Sequence, residues 1–368
     1  MITSFAELMR LQADLTVAVM RAHHSAWNKR YRVLPRGDDQ VSKVTWDGTI
    51  LYHPQDVIEP LQDMFDRAYL QHDDETLDRY REALRTLFHE NIHLLAGPGT
   101  SLAFPLDAYE GRAYKVFEEG VTERATQNEL NNFIDELGLE QIAPGIRRGQ
   151  SLQAYAAYTP AVDAFSTAVG ADVGLDPSEV IHRIAVVNTA EKFKVAAELL
   201  YTKHLSRLVP ETARADAMSR IAEAMHAPFA AVYDYDKNDP SDLRMAGLAG
   251  RSAFRNATAE IQTIAEHWAG NQDLRRALDA GLGPTTTPHR TPDRPQHGSR
   301  ASDGSQPNSP QTEGLHSEGP HSQEPRSGGQ GSDGPAQGGQ GSTQPPSWSA
   351  APGRHRRSAS GPTRLSRD

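Results

Sequence analysis

Apolar residues recur at three- and four-residue intervals from about Gln55 to Gly281, the period of one face of an α-helix. In DETLDRYREALRTLFHENIHLLAG they fall at Leu77, Tyr80, Leu84, Leu87, Phe88, Ile92 and Leu95, with an acidic start and a Gly97-Pro98-Gly99 stop. A second long helix is predicted from Leu106 to Leu137, ended by Gly138. Later helices open on Thr159-Pro160 and on Asp176-Pro177-Ser178-Glu179, with Glu179 at the capping-box position. Three more are predicted at about Thr189 to Ser206, Glu211 to His226 and Ser252 to Ala280. The stretch MITSFAELMRLQADLTVAVMRAHH reads as a further, amphipathic helix.

Between that first helix and Gln55 the period changes. RYRVL and KVTWDGTILY are rich in β formers and flank the turn signal RGDD, which predicts a hairpin across it. The pair Asp47-Gly48 equally places a tight turn inside the second run. TILYHP is a candidate edge strand, able to pair with an extended peptide. The expected fold class is α+β and mostly α-helical: a small N-terminal sheet element, then a helical majority.

Composition divides the chain near Pro284. Beyond it the text is Pro, Gly, Ser, Gln and Thr, with Leu315, Trp348 and Leu365 as the large apolar residues. So little apolar surface cannot offset the entropy of ordering, and a disordered tail over 284–368 is expected, a candidate segment for recruiting a partner. Residues 1–283 form the expected folded domain, with the sheet element in 1–138 and a helical part in 139–283. The tail holds 9 Arg against 7 acidic residues, which leaves 29 basic and 41 acidic residues, or −12, for the domain. Such an acidic body argues against nucleic acid as a partner. No cysteine is present, so a metal must be held by His, Asp or Glu. The N-terminus lacks the pattern of a cleavable signal and no apolar run approaches a membrane span. A cytoplasmic protein is expected, or one exported without a cleavable signal.

The chemistry is concentrated in residues 89–123. On a helix, positions four apart lie about 40° apart around the axis, so His89 and His93 project from one face. Two imidazoles so placed can bind one Zn2+, and Glu90 beside them can reach an activated water: the HExxH arrangement. The next predicted helix carries VFEEGVTERAT, in which Glu119 and Glu123 share a face. One of them can ligate the metal while the other takes the N–H of a ligating histidine. Gly120 between them costs about 1 kcal/mol in a helix interior, which predicts a close neighbour there, such as the motif helix.

From Trp46 to Thr126 the sequence resembles the gluzincin metallopeptidases, zincins that combine HExxH with a glutamate on a following helix and an acid four residues beyond it. The resemblance implies a zincin-like fold, His89, His93 and Glu119 as zinc ligands, Glu90 as general base and Glu123 behind a histidine. Glu118 is the rival third ligand. Gly99 stands where the longer metzincin pattern requires a third histidine, and the Gly-x-Met-Glu-Asn segment of the aminopeptidases is missing. The family implies a Tyr or His that stabilises the oxyanion, for which His182 and Tyr201, with Tyr155, Tyr158 and His204, are candidates. The expected function is zinc-dependent hydrolysis of a peptide or protein substrate. The alternative is a non-catalytic helical interaction module, a degenerate peptidase fold whose tail recruits a partner.

Overall fold

The computed structural model describes residues 2–100, 108–152 and 154–279. Ser4 opens the first helix, α1 (Phe5–Val19), where its hydroxyl accepts the Glu7 amide at 3.2 Å. One face of α1 buries Leu8, Met9, Gln12, Ala13 and Thr16. Gln12 is polar but not unsatisfied, since its carbonyl accepts from the Tyr52 hydroxyl at 2.6 Å and from the Asn91 amide at 2.9 Å.

Four short strands follow: β1 (His24–Ser25), β2 (Tyr31–Val33), β3 (Ser42–Val44) and β4 (Ile50–Tyr52). The hairpin expected across RGDD does not form. Instead β3 and β4 pair antiparallel, with Lys43 opposite Leu51, around the Asp47-Gly48 turn. Gly48 takes φ 77° there, and the Asp47 carboxylate accepts from the Thr45 hydroxyl at 2.6 Å and the Thr49 amide at 3.1 Å. That turn chemistry decides the register locally. β2 joins the other side of β4 in parallel, giving the order β2-β4-β3. TILYHP therefore supplies the central strand, and the edges are β2 and β3.

After α2 (Glu59–Asp66), Asp73 caps α3 (Asp74–His93) by accepting the Thr76 amide at 2.8 Å. The first half of α3 is amphipathic, but every residue from Ala83 to His93 is buried. The helix thus dives into the protein, and its end is fixed by β5 (Leu95–Ala96), which pairs antiparallel with β1. Of the helix expected from Leu106, residues 106 and 107 lie outside the described residues; Ala108 and Tyr109 are helical, and an interruption at Gly111, whose amide closes a turn onto Ala108, precedes a long helix from Arg112. This helix, α4 (Arg112–Leu137), ends at Gly138 in the left-handed region, φ 71°. Val116 to Glu123 are all buried, so α4 is enclosed on every side along that stretch.

The enclosure is made by α5 (Thr159–Val173), α6 (Pro177–Ala185), α7 (Thr189–His204) and α8 (Glu211–Ala231), all packed against α4. Asp176 caps α6 as expected, whereas Glu179 turns outward to Arg183 at 2.7 Å instead of reaching back to the cap. α8 continues past His226 through Pro228. The last helix, α9 (Pro240–Asp279), starts twelve residues before Ser252, because Asp239 accepts the Ser241 amide at 2.7 Å beside a proline in the first turn. No helix among the described residues is long and apolar enough to cross a membrane. The tail expected to be disordered, 284–368, lies outside the described residues.

Gly120 has the close neighbour its position called for, but the neighbour is α5 and not the motif helix. A Cβ there would sit 2.7 Å from Val162 Cγ2 and 3.3 Å from the Tyr158 carbonyl oxygen. Gly120→Ala gains about 1 kcal/mol of helix propensity but overpacks the crossing at about 1–3 kcal/mol. The expected result is a lower melting temperature; a variant more stable than wild type would show that α5 yields freely.

Candidate metal centre

α3 and α4 bring His89, His93 and Glu119 together in the buried core, with exposures of 3 %, 1 % and 0 %. The Nε2 atoms of His89 and His93 are 3.1 Å apart, and Glu119 Oε2 lies 3.5 Å from the first and 3.4 Å from the second. Four ligands arranged tetrahedrally at the usual zinc distances stand about 3.3–3.4 Å from one another. The three atoms thus form one face of such a tetrahedron.

The outer nitrogens are held by carboxylates. His93 Nδ1 lies 2.7 Å from Glu118 Oε1, and His89 Nδ1 lies 3.3 Å from Glu123 Oε2. A carboxylate can only accept, so His93 Nδ1 carries a proton toward Glu118, while His89 Nδ1 stands at ion-pair distance from Glu123. Neutral imidazoles in this arrangement would turn two Nε2 lone pairs toward Glu119 Oε2, which repels unless a metal ion or further protons sit among them. Glu119 Oε2 is buried and accepts no conventional hydrogen bond among the described residues. Its other oxygen, Oε1, accepts from the Tyr109 hydroxyl. Burial and Glu119 push the Tyr109 phenol well above its ordinary pKa, so it remains a donor.

The charge of the centre tells the same story. Glu90, Glu118, Glu119 and Glu123 are all buried, and among the described residues Arg85 and Lys192 are the buried Lys and Arg side chains paired with them. Arg85 is shared with Glu82, so the four carboxylates are short of positive charge, which a divalent cation would supply. Without one, the imidazoles must supply it. Burial disfavours the charged form of His93, yet Glu119 and Glu118 outweigh burial and hold its pKa up at about 10. Burial likewise works against charged His89, and Glu119 and Glu123 raise it nonetheless. On the acidic side burial raises Glu119 and Glu123. His93 overrides it for Glu119, which lies well below the carboxylate range, and Arg85 holds Glu123 at about 2.

Glu90 lies outside this trio. The Ser42 hydroxyl, from edge strand β3, donates to Glu90 Oε1 at 2.7 Å and fixes its direction. A cavity of about 10 Å3 lies between Ser42, Arg85, Thr86, His89, Glu90, Ala154 and Tyr155, and that is room for one water. The Tyr155 ring lines it, stacked on His89 with centroids 5.5 Å apart and planes 9° apart.

The remaining expected site residues separate clearly. Glu123 reaches a ligating-type histidine, and Glu118, the rival ligand, does the same for the other. Tyr155 is at the centre and Tyr158 stacks behind it, 5.9 Å between centroids. His182 lines a surface groove with Arg21, Glu129 and Glu136, and Tyr201 lies buried beneath Arg214. Neither makes a hydrogen bond, ion pair or ring contact with the trio among the described residues, and His204 pairs with Asp172 at the surface. The helical pattern gave no reason to send His182 or Tyr201 toward α3 and α4. Four residues at the centre were missed: Ser42, Arg85, Tyr109 and Lys192. Arg85 had a signal, standing one turn before His89 on the same helix face. Lys192 had another, a charge within the apolar stripe of α7.

Set against protein-family models, curated proteins and solved structures, the chain matches none of them.

Proposed function

We propose that the protein is a zincin-like, zinc-dependent peptidase of the gluzincin type. The observation that carries this reading is the trio His89 Nε2, His93 Nε2 and Glu119 Oε2 at 3.1–3.5 Å, with both outer ring nitrogens on carboxylates. His89, His93 and Glu119 would hold the metal, which when bound supplies a Lewis acid for a scissile carbonyl and makes water more acidic. Glu90, steered by Ser42, takes the proton of the attacking water and returns it to the leaving amine. Glu118 and Glu123 keep both imidazoles in the tautomer that ligates. β3 is the edge strand nearest Glu90, so an extended peptide that added to β3 would run past that carboxylate.

The cavity beside Glu90 admits a water and not a peptide. On this reading a substrate reaches Glu90 past Tyr155, whose ring lines the cavity. The same closure supports the second reading, a non-catalytic interaction module in which the metal only ties α3 to α4. One pair of measurements separates them: zinc per chain by elemental analysis, and cleavage of a mixed peptide library by the zinc-loaded protein. About one zinc with cleavage is the expected result. One zinc without cleavage of any peptide or folded protein leaves the module, and no zinc after reconstitution sinks the metal altogether.

A further inference from the structure

α7 carries a lysine within its apolar stripe. Lys192 lies beside Phe193, Ala196 and Leu200, and 1 % of it is exposed. A buried ammonium is costly unless it is paired. Its Nζ stands 3.2 and 3.4 Å from the carbonyl oxygens of Ala185 and Ile184, the negative end of α6. The charge it faces is Glu118, whose Oε2 is 3.4 Å away. Glu118 Oε1 in turn meets His93 Nδ1 at 2.7 Å and accepts from the Thr122 hydroxyl at 3.2 Å.

Glu118 and Glu119 are consecutive on α4, chemically identical and equally buried, and both touch His93. The helix already turns them about 100° apart, and different groups then hold their oxygens. Glu119 is oriented by Tyr109 toward the two Nε2 atoms. Glu118 is tethered away from them, between Lys192 on one side and His93 Nδ1 on the other. We propose that Lys192 is a positioning residue of the metal centre: it holds Glu118 as the outer partner of His93 and so leaves Glu119 as the carboxylate that meets the metal. This rests on the metal reading above. Arg85 plays the matching part behind Glu123, at 2.9 Å, but it also bonds Glu82 at the protein's edge. Lys192 has no such second carboxylate among its described contacts. Its ion pair is with Glu118, and its charge reaches Glu119 only at longer range.

Without Lys192, Glu118 loses its fixed counter-ion and is left to His93 and the Thr122 hydroxyl, or takes up a proton. The grip on His93 loosens, and outer partners of ligating histidines are worth roughly 10–100-fold in metal affinity. The test measures zinc affinity by competition with a chromophoric chelator on the full-length protein, Lys192→Met, Glu118→Gln and the double variant. The melting temperature of each metal-free protein is recorded alongside. Lys192→Met and Glu118→Gln are each expected to weaken zinc about 10–100-fold, with the double variant no weaker than Glu118→Gln alone. The double variant removes a buried ion pair as a unit, so its metal-free melting point is expected to match or exceed wild type. Affinity and stability then move apart, which a merely structural lysine would not produce.

Should Lys192→Met fail to fold, the charge-balanced double variant against Glu118→Gln still decides. Equal zinc affinity supports the inference and further weakening overturns it. Wild-type affinity in Lys192→Met, or losses that multiply in the double variant, likewise overturns the role of Lys192 and leaves the metal site standing. Wild-type protein that binds no zinc overturns the metal reading, and this inference with it.

Discussion

Glu119→Ala is expected to lower zinc affinity by about two to three orders of magnitude. Glu118→Ala is expected to cost about one to two and still fill with one zinc per chain. The difference follows from position. Glu119 contributes the oxygen that faces both Nε2 atoms, and a full zinc site of three or four protein ligands is worth about 10–16 kcal/mol, or about 3–4 kcal/mol for each. At about 1.4 kcal/mol per decade, that is the larger loss. Glu118 touches only the far nitrogen of His93, where the effect is one of orientation and basicity.

The same contrast should appear in thermal melting. Zinc at about a thousandfold above its dissociation constant stabilises a folded site by about 4 kcal/mol. For a domain of this size that amounts to roughly 10 °C. Wild type should show this rise on adding zinc and Glu118→Ala a smaller one, while Glu119→Ala at the same zinc concentration should show almost none. A reversed pattern, with Glu118→Ala empty and Glu119→Ala full, would exchange the two roles. Equal zinc uptake by all three proteins would mean that the metal sits elsewhere or nowhere.

Much of this centre was legible because helix geometry is local. The i, i+4 spacing of His89 with His93, and of Glu119 with Glu123, already sets each pair on one face, and the strong periodicity of both helices made their existence plain. Gly138, Asp176 and Pro160 marked boundaries by chemistry that acts within a turn. What was hidden depends on contacts far along the chain. Tyr109 and Lys192 separate Glu118 from Glu119, and they come from either side of α4 in the sequence. The parallel pairing of β2 with β4 likewise depends on where the chain returns after Val33, which a three-residue strand does not encode. The residue type and helical setting of His182 and Tyr201 say nothing about which neighbour a helix face meets. The late start given to α9 is different: Asp239-Pro240-Ser241 is a local cap signal that the apolar pattern, beginning further on, overshadowed.

Glu90→Gln should leave zinc content unchanged and reduce peptide hydrolysis by about 10²–10⁴-fold, the usual weight of a positioned general base. Glutamine is nearly isosteric with glutamate, and its carbonyl oxygen can still accept from Ser42, now 2.7 Å from Glu90 Oε1. The packing around a side chain only 1 % exposed is therefore preserved. What is lost is the ability to take a proton and give it back. The loss should fall on kcat, because Glu90 acts on the reacting water and not on the binding of the peptide. One formal negative charge also disappears from a centre already short of positive charge, so metal affinity should hold or fall only slightly. A variant that keeps its zinc and more than a tenth of wild-type turnover would remove Glu90 from the mechanism. A variant that loses its zinc would instead place Glu90 among the groups that hold the ion, and proton transfer would then fall to another group beside the Ser42–Tyr155 cavity.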